Sequence, residues 1–140
     1  MEPNLVKTAD LAYLGDAVIE LWVREHLLNR GICGSGRLNK EALRYVKATA
    51  QAEAVKVILP LLTDEEASVW KRGRNSHCGT VPKSAEVSQY RAATGLEVLC
   101  GWLRLKGQDD RVAFLLEAGY RPAEEGVSSP SSNESINENL

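Results

Sequence analysis

The segment Leu11-Ala12-Tyr13-Leu14-Gly15-Asp16-Ala17-Val18-Ile19-Glu20 constrains this chain more than any other. Its apolar residues fall on nearly every side of a helical wheel, and the run continues through Leu21, Trp22 and Val23. A helix that is apolar on most sides has to be largely buried. Yet this one carries Asp16 and Glu20, two carboxylates one turn apart. Desolvating an unpaired charge is costly. At i,i+4 the two acids also repel, by roughly 0.2–0.5 kcal/mol on an exposed helix and more when buried. The stretch therefore needs a cation nearby, and a divalent metal is one candidate. The plainer alternative pairs Glu20 with Arg24 at i,i+4 and satisfies Asp16 by hydrogen bonds.

The rest of the chain fits an all-helical fold, since no strand alternation is sustained anywhere. The first helix is expected over about residues 9–28, capped by Thr8 or Asp10. After the loop marked by Gly31, Gly34 and Gly36, a second is expected over about 38–59, stopping at Pro60. Thr63-Asp64-Glu65-Glu66 fits a capping box opening a third helix, which Gly73 is placed to terminate. A fourth is expected over about 85–106, ending at Gly107, and a short fifth over about 110–118, followed by Gly119. From Pro122 the composition turns to Ser, Asn, Glu, Gly and Pro, which cannot bury enough apolar area to order itself. The expected organisation is one domain over 1–121 and a disordered acidic tail over 122–140, dispensable for activity.

The net charge of −2 argues against a polyanion partner until its distribution is considered. Glu124, Glu125, Glu134 and Glu138 all lie in the tail, which leaves the body weakly basic, so any polyanion site must come from local clustering. Cys33, Cys78 and Cys100 form neither a disulfide framework nor a zinc motif, and His77-Cys78 lacks two further ligands at suitable spacing. A reduced, cytoplasmic setting is expected, without signal peptide or membrane span. Trp22, Trp70 and Trp102 are expected in the core or at a subunit interface.

A second carboxylate sits inside an apolar stretch in Ala92-Ala93-Thr94-Gly95-Leu96-Glu97-Val98-Leu99-Cys100-Gly101-Trp102. Gly95 and Gly101 each cost roughly 1 kcal/mol relative to Ala in a helix. They make sense where another backbone comes close, as Gly15 does beside Asp16. A tight crossing of the two helices would bring Asp16, Glu20 and Glu97 together as a hard oxygen site suited to Mg²⁺ or Mn²⁺. Two separately satisfied core acids are the alternative.

Leu11 to Glu20 resembles the ribonuclease III signature, and Thr94 to Trp102 resembles the second acidic motif of that family. The closer resemblance is to the Mini-ribonuclease III branch, which has the nuclease domain without a double-stranded-RNA-binding domain. Lys71-Arg72-Gly73-Arg74-Asn75, Thr80-Val81-Pro82-Lys83, Tyr90-Arg91, Tyr45-Val46-Lys47 and Ala50-Gln51-Ala52 are similar to that branch in order and spacing. The resemblance spans about residues 9–120. It implies a homodimeric, all-α, ribonuclease III-type endonuclease with Asp16 and Glu97 as catalytic metal ligands, the remaining positions being left to Glu20 as a further ligand, to Thr94 or to water. Full-length relatives carry a glutamate where Ala12 stands and an aspartate where Thr94 stands; the Mini branch resembles this chain at both positions. Mg²⁺ is the implied cofactor, with Mn²⁺ possible. The implied substrate is double-stranded or structured RNA, in particular precursor 23S ribosomal RNA, with ribosomal-protein assistance. A catalytically weak RNA-binding assembly factor of the same fold is the competing expectation, and a helical dimer without an RNA role is the third.

A-form RNA is held mainly through phosphates, 2′-hydroxyls and shape, so placed cations matter more than overall pI. Lys40, Arg44 and Lys47 fall on one face of the second expected helix, with Gln51 continuing the row. Arg72, Arg74, Asn75, Lys83 and Arg91 flank or line the loop after Gly73. Each cluster has an ordinary solvated face as its alternative.

Overall fold

A computed structural model describes residues 1–76 and 86–128, with side chains up to Gly126 apart from the gap. Among the described residues there is no strand. Six α-helices follow a short 3-10 turn, Pro3–Leu5: α1 (Thr8–Asn29), α2 (Ser35–Val46), α3 (Ala48–Ile58), α4 (Asp64–Arg74), α5 (Val87–Leu105) and α6 (Asp109–Ser128). A second 3-10 turn, Leu59–Leu61, follows α3 and absorbs Pro60 at its start. No described helix is long and apolar enough to cross a membrane.

α5 is the central post. Ala93 through Leu103 are all buried except Glu97, which is part-buried. α1, α3, α4 and α6 all pack against it. Between Ala93 and Leu103 its sequence is apolar on almost every side for that reason, with little solvent face to make polar. α1 lays Leu11, Gly15, Ile19, Val23 and Leu27 against it, one residue per turn. Trp102, 1 % exposed, donates its indole N–H to Asn4 Oδ1 at 2.9 Å and so ties the amino-terminal turn to the core.

Three local expectations are corrected. The second helix is two helices: the backbone turns extended at Lys47 (φ −68°, ψ 151°), which closes α2 and opens α3. Gln51, the end of the expected basic row, is therefore 3 % exposed and faces the core. Gly73 does not terminate α4 but lies inside it, where an added Cβ would come within 2.8 Å of Gly95 Cα and of Val98. Gly95 in turn makes room for the Trp70 ring, so this glycine pair serves the α4–α5 crossing.

The third correction concerns the last helix. α6 passes Gly119 and Pro122 and continues to Ser128. Gly119 is a packing glycine, since an added Cβ would lie 2.8 Å from Ile58 Cδ1 on α3. Glu124, assigned by composition to the tail, is anchored to α1 and α2 through His26, Arg30 and Tyr45. Deleting the chain from Ala123 thus removes a packed residue. Residues 129–140 lie outside the described residues.

The capping box forms as the sequence requires. Glu66 N–H donates to Thr63 Oγ1 at 3.1 Å and Thr63 N–H donates to Glu66 Oε1 at 2.9 Å. Glu66 also holds Arg111 on α6, 2.8 Å and 2.9 Å from its two oxygens, and that guanidinium keeps its carboxyl below the usual range. Thr63→Ala is expected to cost about 1 kcal/mol, read as a lower midpoint in urea at unchanged slope.

Candidate active site

The α1–α5 crossing decides where the acids go. A Cβ added at Gly15 would fall on the carbonyl oxygen of Glu97, and one added at Gly101 would fall on the carbonyl oxygen of Leu11. Leu11 therefore faces Gly101 and Gly15 faces Glu97, so the two helices run antiparallel with their backbones in contact. Any side chain at either glycine would push them apart. Asp16 and Glu97 flank this contact, and their side chains meet across it.

The electrostatics of the pair are those of two like charges forced together. Burial of Glu97, then the negative charge of Asp16, then a hydrogen bond between them raise the Glu97 carboxyl from 4.5 to about 8. At neutral pH Glu97 keeps its proton and donates it to Asp16. The folded chain therefore holds a proton that the unfolded chain releases above about pH 4.5. The associated stability is present at low pH and is lost as pH rises through about 8. In chelator, the melting temperature is expected to fall between pH 5 and pH 8, and Glu97→Gln to flatten that slope. An equal slope in both proteins would contradict the shared proton.

Glu20 does not join them. It lies one turn further along α1, and its carboxylate is 3.7 Å from Arg24. Among the described residues no group of three or more His, Cys, Asp or Glu side chains is placed to hold a metal. The expected trio is a pair, and Glu20 has the i,i+4 partner that its spacing offered. Thr94 is buried at 6 %, and its hydroxyl donates to Tyr90 O at 3.1 Å, one turn back on α5. Ala12 is part-buried against the core.

The donor set fits a hard divalent cation. Two carboxylates converge, one open to solvent and one part-buried, and no basic side chain contributes to the shift at Glu97. Mg²⁺ is commonly held by one or two carboxylates with the remaining positions filled by water.

The basic residues divide into exposed and braced ones. Lys40, Arg44 and Lys47 are exposed on α2 and at its end, with Arg44 3.9 Å from Glu41. Asn75 and Arg91 are exposed. Arg74 stacks 5.1 Å from the Trp70 ring centroid and donates to Asn75 Oδ1 at 3.1 Å. Arg72 donates to Val6 O at 3.2 Å, while its Nε is buried without a hydrogen-bond partner among the described residues. It braces α4 to the amino-terminal segment. Lys83, with His77 and Cys78, lies outside the described residues.

Residues 9–108 match the family model described as the Ribonuclease III domain. The chain belongs to the ribonuclease III family. Its curated relatives place it in the Mini-ribonuclease III branch. It is 47 % identical over 124 residues to the Mini-ribonuclease 3 of Symbiobacterium thermophilum, covering 89 % of this chain and 95 % of the relative. It is 41 % identical over 119 residues to that of Brevibacillus brevis, covering 85 % and 89 %. The fold matches a crystal structure of a Fusobacterium nucleatum protein with a TM-score of 0.75 and 29 % identity, over 85 % of this chain and 95 % of that one. The chain is thus an endoribonuclease, and RNA is its substrate.

Sequence inspection missed Tyr45, Tyr120 and Glu124 as a connected group. The available signal was Tyr120 and Glu124 at i,i+4, hidden in what read as the start of a tail.

Proposed function

We propose that this member of the family cleaves double-stranded or structured RNA at a Mg²⁺ site held by Asp16 and Glu97, with Mn²⁺ as a substitute. We further propose that its substrate is precursor 23S ribosomal RNA, presented with ribosomal-protein assistance. The observation that carries this is the meeting of Asp16 and Glu97 across a backbone contact that only glycine permits. Bound there, a divalent cation would activate water and offset charge developing on the phosphate.

The chain's own part follows from the geometry. To hold a cation Glu97 would have to release the proton it shares with Asp16, so cation affinity would rise with pH up to about 8. The absence of a side chain at Gly15 lets α1 and α5 approach closely enough for the two carboxylates to meet. Glu20 stands outside the direct ligand pair and balances Arg24. Lys40, Arg44 and Lys47 supply phosphate contacts on one side. Arg74, Asn75 and Arg91 supply contacts near α4 and α5, where Arg72 acts as their brace, and Lys83 supplies a further phosphate contact. Products carry a 5′-phosphate and a 3′-hydroxyl.

The homodimer is part of the same proposal. α1 exposes Tyr13 at 84 %, Leu21 at 55 % and Leu28 at 57 %, an apolar surface left uncovered on a helix whose other side fills the core. A two-fold copy would cover it and set two sites against one duplex.

The test is cleavage of a duplex-containing precursor of large-subunit ribosomal RNA by the purified chain, with Mg²⁺ or with chelator. Cleavage that requires the metal and leaves 5′-phosphates is expected. Cleavage undiminished in chelator would remove the metal from the proposal. Binding without cleavage would turn it toward an assembly factor.

A further inference from the structure

We propose that Tyr120 and Glu124 of α6 are positioning residues that hold the α2–α3 elbow in the orientation in which its basic residues meet RNA. The proposal rests on the RNA-cleaving function above and concerns affinity rather than the chemical step.

The two residues lie one turn apart on α6, and both take hold of Tyr45, the penultimate residue of α2. Tyr120 donates its hydroxyl to the backbone carbonyl of Tyr45 at 2.6 Å. Glu124 accepts a hydrogen bond from the Tyr45 hydroxyl through Oε2. The same oxygen lies 2.6 Å from His26 Nε2 and 3.1 Å from Arg30 Nη1, which belong to the last turn of α1 and its cap. One carboxylate oxygen thus joins three elements. The Tyr45 phenol is pushed up to about 12 by burial and by Glu124, so it remains a donor across the working pH range.

Aromatic contacts continue the joint. The Tyr45 and Tyr120 ring centroids are 5.0 Å apart at 61°, and Trp22 stacks on His26 at 4.6 Å. What makes the hydrogen bonds matter is the space beside them. A cavity of about 550 Å³ opens between α2, α3 and α6, lined by Arg44, Tyr45, Val57, Tyr120 and Glu124 among others. Packing does not fill the inside of the elbow, so directional bonds at Tyr45 set its angle. The backbone turns extended at Lys47, two residues after Tyr45. Lys40, Arg44 and Lys47 ride on that joint and are all exposed. Losing the clamp would let the cations move relative to the rest of the fold without touching Asp16 or Glu97.

The experiment measures binding of a fluorescent RNA duplex in chelator across a salt series, and the single-turnover cleavage rate at saturating RNA with Mg²⁺. It compares wild type with Glu124→Ala, Glu124→Gln and Tyr120→Phe, each checked for folding by circular dichroism. Glu124→Ala is expected to weaken binding about five- to tenfold and to reduce the log–log salt slope by about 0.7–0.9, the equivalent of one phosphate contact. The cleavage rate at saturation should stay within about twofold, because the acids are untouched. Glu124→Gln keeps an acceptor for Tyr45 and should recover part of the affinity. Tyr120→Phe should shift binding in the same direction by less, and it decides the matter if Glu124→Ala does not fold.

Folded variants that melt earlier yet bind RNA with wild-type affinity and slope would reduce the joint to a stabilising contact and overturn the proposal. A fall in the saturated rate at unchanged affinity would overturn it as well. If wild type itself bound no duplex RNA, the RNA-cleaving function would fall and this inference with it. If wild type bound and every variant matched it, only this inference would fall.

Discussion

Asp16→Asn and Glu97→Gln are each expected to lower RNA cleavage by about a thousandfold or more, equivalent to about 4 kcal/mol of transition-state stabilisation. Both substitutions are close to isosteric, and each replaces a carboxylate oxygen available to a cation with an amide in the pair that meets at the α1–α5 crossing. A divalent cation held by two protein oxygens loses half of its direct anchorage when either is neutralised. Stability should move the other way. Wild-type Glu97 resists ionisation because it is part-buried and because Asp16 is beside it, so in chelator at pH 8 the neutral variants should melt no lower than wild type. Single-turnover cleavage and thermal melts on the same preparations check both halves. Cleavage that survives in both variants would remove these residues from the site. A thousandfold loss accompanied by a large fall in melting temperature would mean only that the crossing had been broken.

The second large effect belongs to Gly15. Gly15→Ala is expected to destabilise the fold by about 3 kcal/mol or more, because the added Cβ meets backbone and not a movable side chain. α1 and α5 would have to separate along their whole contact, and α5 is the helix on which α1, α3, α4 and α6 all pack. Separation also draws Asp16 away from Glu97, so activity should fall further than the loss of folded protein accounts for. Gly36→Ala is the control: a Cβ there meets nothing within 4 Å, and the change should stay within about 1 kcal/mol. Urea unfolding of the two variants compares them directly. Equal midpoints would mean that the crossing tolerates a methyl group.

Glycine was the most legible signal of contact in the chain and also the most easily misassigned. Gly15 and Gly101 inside apolar helical runs announced a close helix crossing, and the crossing is there. Gly73 and Gly119, the same residue type near the ends of periodic segments, read locally as stops, yet Gly73 packs within the last turn of α4 and Gly119 in the middle of α6. A glycine's sequence neighbours do not say whether it is needed for its own backbone angles or for another element's approach. Lys47 shows the converse case. Nothing in its neighbourhood announces a break, because Ala48 and the residues after it favour helix as much as those before. Tyr45 and Gln51, one on each side of the break, are both buried.

Spacing alone offered Glu20 either a metal or Arg24, and the ion pair at 3.7 Å is the partner the fold provides. Composition assigned Glu124 to a tail, since it counts residues and cannot see that one carboxylate has three donors waiting on α1 and α2.

By itself the sequence determined the all-helical class, the capping box at Thr63, and a carboxylate close to glycine on each of two apolar helices, whereas α1, expected to be largely buried, is buried on one face only. The first three follow from period, local hydrogen bonding and side-chain volume, which act within a few residues. Only the tertiary structure decided that Asp16 and Glu97 meet while Glu20 does not, that α2 and α3 are separate, and that α6 extends to clamp Tyr45. Those outcomes depend on which backbone reaches which across the core, and on where a donor from one helix finds an acceptor on another, distances that no local pattern encodes.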